Sequence, residues 1–269
     1  MTTLFVVLAV GFFLGIRHAA DPDHVVAVTT IVARSKKVTH AAVIGAVWGA
    51  GHTLTIVLVG AVIIFFSVVV PPRLGLAMEL GVAVMLMLLG AMNLFGLRGQ
   101  VQAVLAAAPA GEGDVHTHIH THGDYVHSHR HGHGPGEHSH GPERTPLAWL
   151  DRWFGSTAGY RWLRPLIVGI VHGLAGSAAV ALLVLAVIPN RNWALAYLLV
   201  FGVGTIAGMM LITVAVASGL VWAGKRSAGF ARGMMLVSGL VSLAFGILIA
   251  YQIGWVQGLF TANPQWTPR

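Results

Sequence analysis

Cysteine is absent from the 269 residues, and charged side chains make up only 9% of them. Without cysteine there is no disulfide framework and no thiolate metal site. Any metal must be held by imidazole, carboxylate or backbone oxygen, a ligand set that favours Ni, Co, Zn, Mn or Fe(II) over Cu(I). The scarcity of charge, set against 56% hydrophobic residues, excludes an ordinary soluble domain and predicts an all-α integral membrane protein surrounded by lipid. A Gly-x-x-x-x-Gly-Lys-Ser/Thr sequence is missing, so the chain itself does not hydrolyse ATP. The first apolar run has neither a basic leader nor a small-residue cleavage site and reads as a retained span. The net charge of +7 arises from basic residues placed between apolar runs, which does not describe a nucleic-acid surface.

Six apolar runs are long enough to cross a bilayer: about Leu4–Ala33, Thr39–Val70, Leu74–Leu97, Leu163–Ile188, Trp193–Ala223 and Ala228–Gly254. Residues 1–97 thus form a first three-helix unit, 98–161 a polar connection and 162–269 a second three-helix unit. Twelve basic residues fall in the connections after spans one, three and five, against Arg73, Arg191 and Arg269 on the other face. By the positive-inside rule the long connection is cytoplasmic and both termini are outside.

The chemistry concentrates in His18-Ala-Ala-Asp-Pro-Asp-His24. His18, Asp21, Asp23 and His24 are four metal-ligand side chains within an otherwise apolar span, where ionisable groups are costly and mark function. Pro22 lacks the N–H that would bond the carbonyl of His18. It also pushes Asp21 out of the helical region, towards a helix-capping conformation. The sequence predicts a broken helix, with one half ending near His18, a second starting at Pro22, and free carbonyls beside the ligands in the gap.

Two internal matches share one offset. Leu14-Gly-Ile-Arg-His18 matches Val168-Gly-Ile-Val-His172, 154 residues on, and Trp48-Gly-Ala-Gly51 matches Phe201-Gly-Val-Gly204, 153 residues on. Three spans per unit give the units opposite topology, so a 3+3 inverted repeat is expected, with a site between the halves. The repeat is chemically lopsided: Asp21, Pro22, Asp23 and His24 align with Ala175, Gly176, Ser177 and Ala178. His172 can complete the site from the second half or be a histidine satisfied within the bundle. His52, after two glycines that permit close helix approach, is placed to face His18 and His24. Glu79 is a candidate cation-entrance group, or a partner of Arg73 or Arg17.

Between His116 and His140, 10 of 25 residues are histidine: His116, His118, His120, His122, His127, His129, His131, His133, His138 and His140. This tract cannot bury a core and is expected to be disordered, with auxiliary affinity for borderline metals.

Arg17-His-Ala-Ala-Asp-Pro-Asp-His24 fits the His-x4-Asp-His signature of the nickel/cobalt transporter family, and Gly51-His-Thr53 resembles that family's Gly-His-Ser/Thr motif. His172-Gly-Leu-Ala-Gly-Ser177 is similar to the smaller urease-associated branch. The resemblance implies secondary transport of Ni2+ or Co2+ as substrate, with His18, Asp23, His24 and His52 at the site and no other cofactor. It also implies residence in a bacterial cytoplasmic membrane, with cytoplasmic metal chaperones or urease and hydrogenase maturation proteins as candidate partners. Long family members carry eight spans with the signature in the second, whereas six are counted here with the signature in the first. Uptake is the favoured direction. The His-rich connection is reminiscent of the efflux branch, which makes export the alternative. From other classes, an intramembrane metalloenzyme lacks His-Glu-x-x-His and any general base beyond the ligands, and a membrane-anchored metal sensor leaves the intramembrane acids unexplained.

Overall fold

The computed structural model describes residues 2–33, 37–68, 70–106, 115–122, 125–132, 162–163, 165–175, 188, 190–226 and 228–266. The first span is broken where Pro22 demands it. Helix α1 covers Thr2–His18 and α2 covers Pro22–Val32, with a bend of 55° between them. Then come α3 (Val38–Phe66), α4 (Pro72–Ala106), α5 (Pro165–Ala175), α6 (Arg191–Arg226) and α7 (Ala228–Tyr251). A π-helical turn, Gln252–Val256, continues α7. Among the described residues, four helices are long and apolar enough to cross a membrane, or five spans if the bent α1–α2 pair is counted as one. The fourth expected span, Leu163–Ile188, is described chiefly as α5; residues 176–187 lie outside the described residues.

Lipid is as apolar as leucine, so the helices gain little by burying hydrophobic faces against one another; close packing and interhelical hydrogen bonds must hold them together. Large apolar side chains such as Phe13, Leu58, Phe66 and Leu211 accordingly face outward. Small and hydroxylated residues fill the contacts. α6 runs antiparallel to α3, with Thr53 Oγ1 donating to Gly202 O at 3.1 Å. α4 runs antiparallel to α7, where Asn93 Nδ2 donates to Met235 O at 3.2 Å and Ser242 Oγ donates to Leu86 O at 2.9 Å.

The repeat is visible in these contacts. Gly15 of α1 lies against the backbone of Phe201 and Thr205 in α6, and Gly169 of α5 lies against the backbone of Trp48 and His52 in α3. Those four neighbours are themselves repeat partners, 153 residues apart. The reverse contacts match as well: Gly204 meets Phe12, and Gly51 meets Leu166. A Cβ at any of these four glycines would meet the facing backbone, so only glycine permits this approach. Each half therefore lends its first helix to the second helix of the other, as a two-fold arrangement of opposed units requires.

The polar connection departs from a featureless tract. α4 extends to Ala106, and Val115–His122 (β1) pairs antiparallel with Tyr125–Gly132 (β2). Histidine alternates there with Thr117, Ile119 and Thr121, a period of two with β-branched residues that suits a strand. The register sets His116 opposite His131, His118 opposite His129 and His120 opposite His127. His122 stands opposite Tyr125. His133, His138 and His140 lie outside the described residues.

Candidate metal centre

Four histidines from four helices meet at the break: His18 ends α1, His24 is in the first turn of α2, His52 is midway along α3, and His172 is on α5. His24, His52 and His172 are almost wholly buried, at 2%, 0% and 1% exposure. The ring centroids of His18 and His24 lie 4.8 Å apart, those of His24 and His52 5.0 Å, and those of His24 and His172 4.2 Å. His18 Nε2 is 3.1 Å from His52 Nε2. His18, His24 and His52 bring one nitrogen each within 4.8 Å of the others, as do the ligand atoms of Asp23, His24 and His172. His24 belongs to both groups.

The carboxylates accept hydrogen bonds from the histidine rings. Asp21 Oδ2 accepts from His18 Nδ1 at 2.8 Å. Asp23 accepts from His24 Nδ1 at 3.1 Å through Oδ1, and from His172 Nε2 at 2.8 Å through Oδ2. Asp23 thereby joins a histidine of the first half to one of the second. Aromatic walls close the site: Trp48 stands 5.8 Å from His24 and 5.7 Å from His172 by ring centroid, and Phe201 stands 5.5 Å from His18. Trp48 and Phe201 are repeat partners, so each half supplies an aromatic wall to a histidine of the other.

Three imidazole nitrogens at the site, His24 Nε2, His52 Nδ1 and His172 Nδ1, are buried without a hydrogen-bond partner. An unmet buried polar atom costs about 1–3 kcal/mol. Three in one place, with no cysteine in the chain, are what a site for a borderline divalent cation provides, since imidazole suits such ions.

All four signature residues expected at the site, with His52 and His172, come together here. One expectation about the backbone is corrected. Asp21 is the N-cap of α2 by position and backbone angle, but its carboxylate makes no capping bond and turns to His18. The carbonyls expected to be free at the end of α1 are also engaged. Arg17 O accepts from Ala20 N at 2.9 Å, and His18 O accepts from Asp21 N at 3.0 Å. A tight turn satisfies the broken end, leaving side chains to make the site. Glu79 accepts a hydrogen bond from Trp266 Nε1 at 2.8 Å and is in neither ligand group. Trp48 and Phe201 were missed as site residues, although both stand in the matched Gly-containing motifs that reveal the repeat.

A family profile described as "NicO: High-affinity nickel-transport protein" matches residues 4–145. The chain is 31% identical over 257 residues to "Urease accessory protein UreH" of Bacillus sp. (strain TB-90), covering 96% of each chain. No solved structure matches. The match spans both helical units, and the profile covers the signature that supplies His18, Asp23, His24 and His52: the chain belongs to the NicO family of high-affinity nickel-transport proteins and is a membrane transporter of the nickel/cobalt type.

Proposed function

We propose that this chain takes up Ni2+ or Co2+ across a bacterial cytoplasmic membrane as a secondary carrier, using the histidine cluster at the α1–α2 break as its substrate site. The supporting observation is that His24, buried in the first half, shares a carboxylate with His172 of the second. A cation bound there contacts both halves, so rocking one half against the other changes its coordination. That is the requirement for alternating access.

The polar entry to the site is the Asp21 end, where the Asp21 side chain is 49% exposed and that of His18 18%. The walls of Trp48, Phe201 and the packed glycines exclude water from the deeper rings, so the ion exchanges hydration for imidazole. An inside-negative potential favours inward movement of a divalent cation by about 4.6 kcal/mol per 100 mV. The basic residues favour a cytoplasmic position for the His-rich connection, with both termini outside. On the cytoplasmic side, the connection buffers or hands on the ion. The relative named as a urease accessory protein favours nickel delivery to a urease maturation system as its use.

Purified full-length protein reconstituted in liposomes should accumulate 63Ni down an imposed inside-negative potential. No accumulation above protein-free vesicles would refute transport. In cells, expression that lowers cell-associated nickel would reverse the direction.

A further inference from the structure

The hydrogen bonds at the cluster separate its carboxylates from its imidazoles. A carboxylate only accepts, so the ring nitrogen facing it carries the proton. Those nitrogens are His18 Nδ1, against Asp21 Oδ2, and His24 Nδ1 and His172 Nε2, against the two oxygens of Asp23. In a neutral imidazole the opposite nitrogen is then a bare lone pair. This gives His18 Nε2, His24 Nε2 and His172 Nδ1. His18 Nε2 lies 3.1 Å from His52 Nε2, which must donate to it, leaving His52 Nδ1 bare in turn. Burial marks three of these four atoms: among the described residues, His24 Nε2, His52 Nδ1 and His172 Nδ1 are the buried imidazole nitrogens without a partner.

We infer that Asp21 and Asp23 are positioning residues and that the transported cation is held by imidazole nitrogen. This rests on the substrate site proposed above and divides its labour. Asp23, His24 and His172 also form a compact group, but both oxygens of its carboxylate are already engaged as acceptors, one by each ring. The compact group free of carboxylate is His18, His24 and His52. A carboxylate behind a histidine fixes its tautomer and ring orientation and raises its basicity. The selectivity consequence is specific. Mg2+ and Ca2+ require oxygen ligands, whereas imidazole suits nickel, cobalt and zinc. Keeping the two acids out of the coordination shell therefore withholds from the abundant hard cations the ligands they need.

The test uses full-length protein in liposomes and the Asp23→Asn variant, whose amide oxygen retains acceptor capacity for one ring but not both. For a positioning role, the nickel concentration at half-maximal uptake rises about 10–100-fold, as for other outer-shell changes. Mg2+ remains a non-competitor in wild type and variant alike. The infrared difference spectrum between nickel-loaded and nickel-free protein supplies a second readout, because bands lost on Asp23→Asn belong to Asp23. Hydrogen-bonded, uncoordinated carboxylate bands support the inference. A nickel-dependent change in the splitting of the Asp23 carboxylate stretches marks direct coordination and overturns it. So does effective Mg2+ competition in wild type. If Asp23→Asn does not reach the membrane, Asp21→Asn at the exposed end gives the same readouts through His18. Wild-type protein that transports no nickel would sink the proposed function instead, and is read from the wild-type vesicles alone.

Discussion

Two groups of histidines in this molecule differ in how they are held. On the helices, His18, His24 and His172 each have a carboxylate oxygen within 3.1 Å, and His52 has a ring nitrogen of His18 at the same distance. In the hairpin, three histidine pairs are set opposite one another by backbone register. The first setting has fewer histidines, but fixes them against named side-chain partners, most of them buried or half-buried. The second has more, placed by the pairing of two strands. The proposed transport site is thus distinguished by burial and fixed partners and not by the number of side chains.

The comparison breaks most severely at His24, which both ligand groups share. His24→Ala should lower nickel uptake by about a hundredfold or more, since even outer-shell changes cost 10–100-fold, with all ten histidines of the connection still present. Uptake within a factor of a few of wild type would move the site elsewhere. Packing is the next way to disturb it. Gly169→Leu would press a side chain into the backbone of Trp48 and His52. Overpacking costs about 1–3 kcal/mol, and the displaced His52 should cut uptake roughly tenfold. Gly81→Ala, where nothing lies within 4 Å, should change neither uptake nor thermal stability.

Removing residues 116–140 tests the other side of the comparison. Nickel uptake should fall by roughly threefold at most, equivalent to under about 1 kcal/mol, while the number of ions bound per purified protein falls more. Loss of uptake to the His24→Ala level would place the connection in the path. The smallest effect is expected at the C-terminal tail. Trp266→Phe removes the hydrogen bond to Glu79 and should lower the melting temperature in detergent by about 2–4 °C, for roughly 1 kcal/mol, with uptake unchanged. A fall in uptake would connect Glu79 to the ion path.

The residues most legible in the sequence were those whose chemistry conflicts with their surroundings. Two acids, two histidines and a proline in an apolar run admit few bland explanations, and α1 and α2 end and begin where Pro22 dictates. The repeat was legible because glycines at close contacts cannot be replaced. Partner choice was not legible. Nothing in the spacing reveals that Asp21 forgoes its capping bond for His18, because the 55° bend aims the carboxylate. The role of His172 was open because the sequence leaves Asp23, 149 positions earlier, with several partners to choose from. The hairpin was missed because a histidine-rich composition reads as polar and unstructured, although its alternation has the period of a strand.

The glycine contacts also govern when the site comes into being during synthesis. Gly15 and Phe12 of α1 find their partners on α6, from Phe201 onward, and Trp48 and His52 of α3 find theirs on α5. Until more than two thirds of the chain has been made, the early helices must wait in the bilayer with these faces covered by lipid or by one another. Asp23, already inserted, can acquire His172 as its second partner only when the second half arrives. The proposed cation site is therefore closed late in assembly, and a chain halted before α6 lacks the Phe201 wall beside His18.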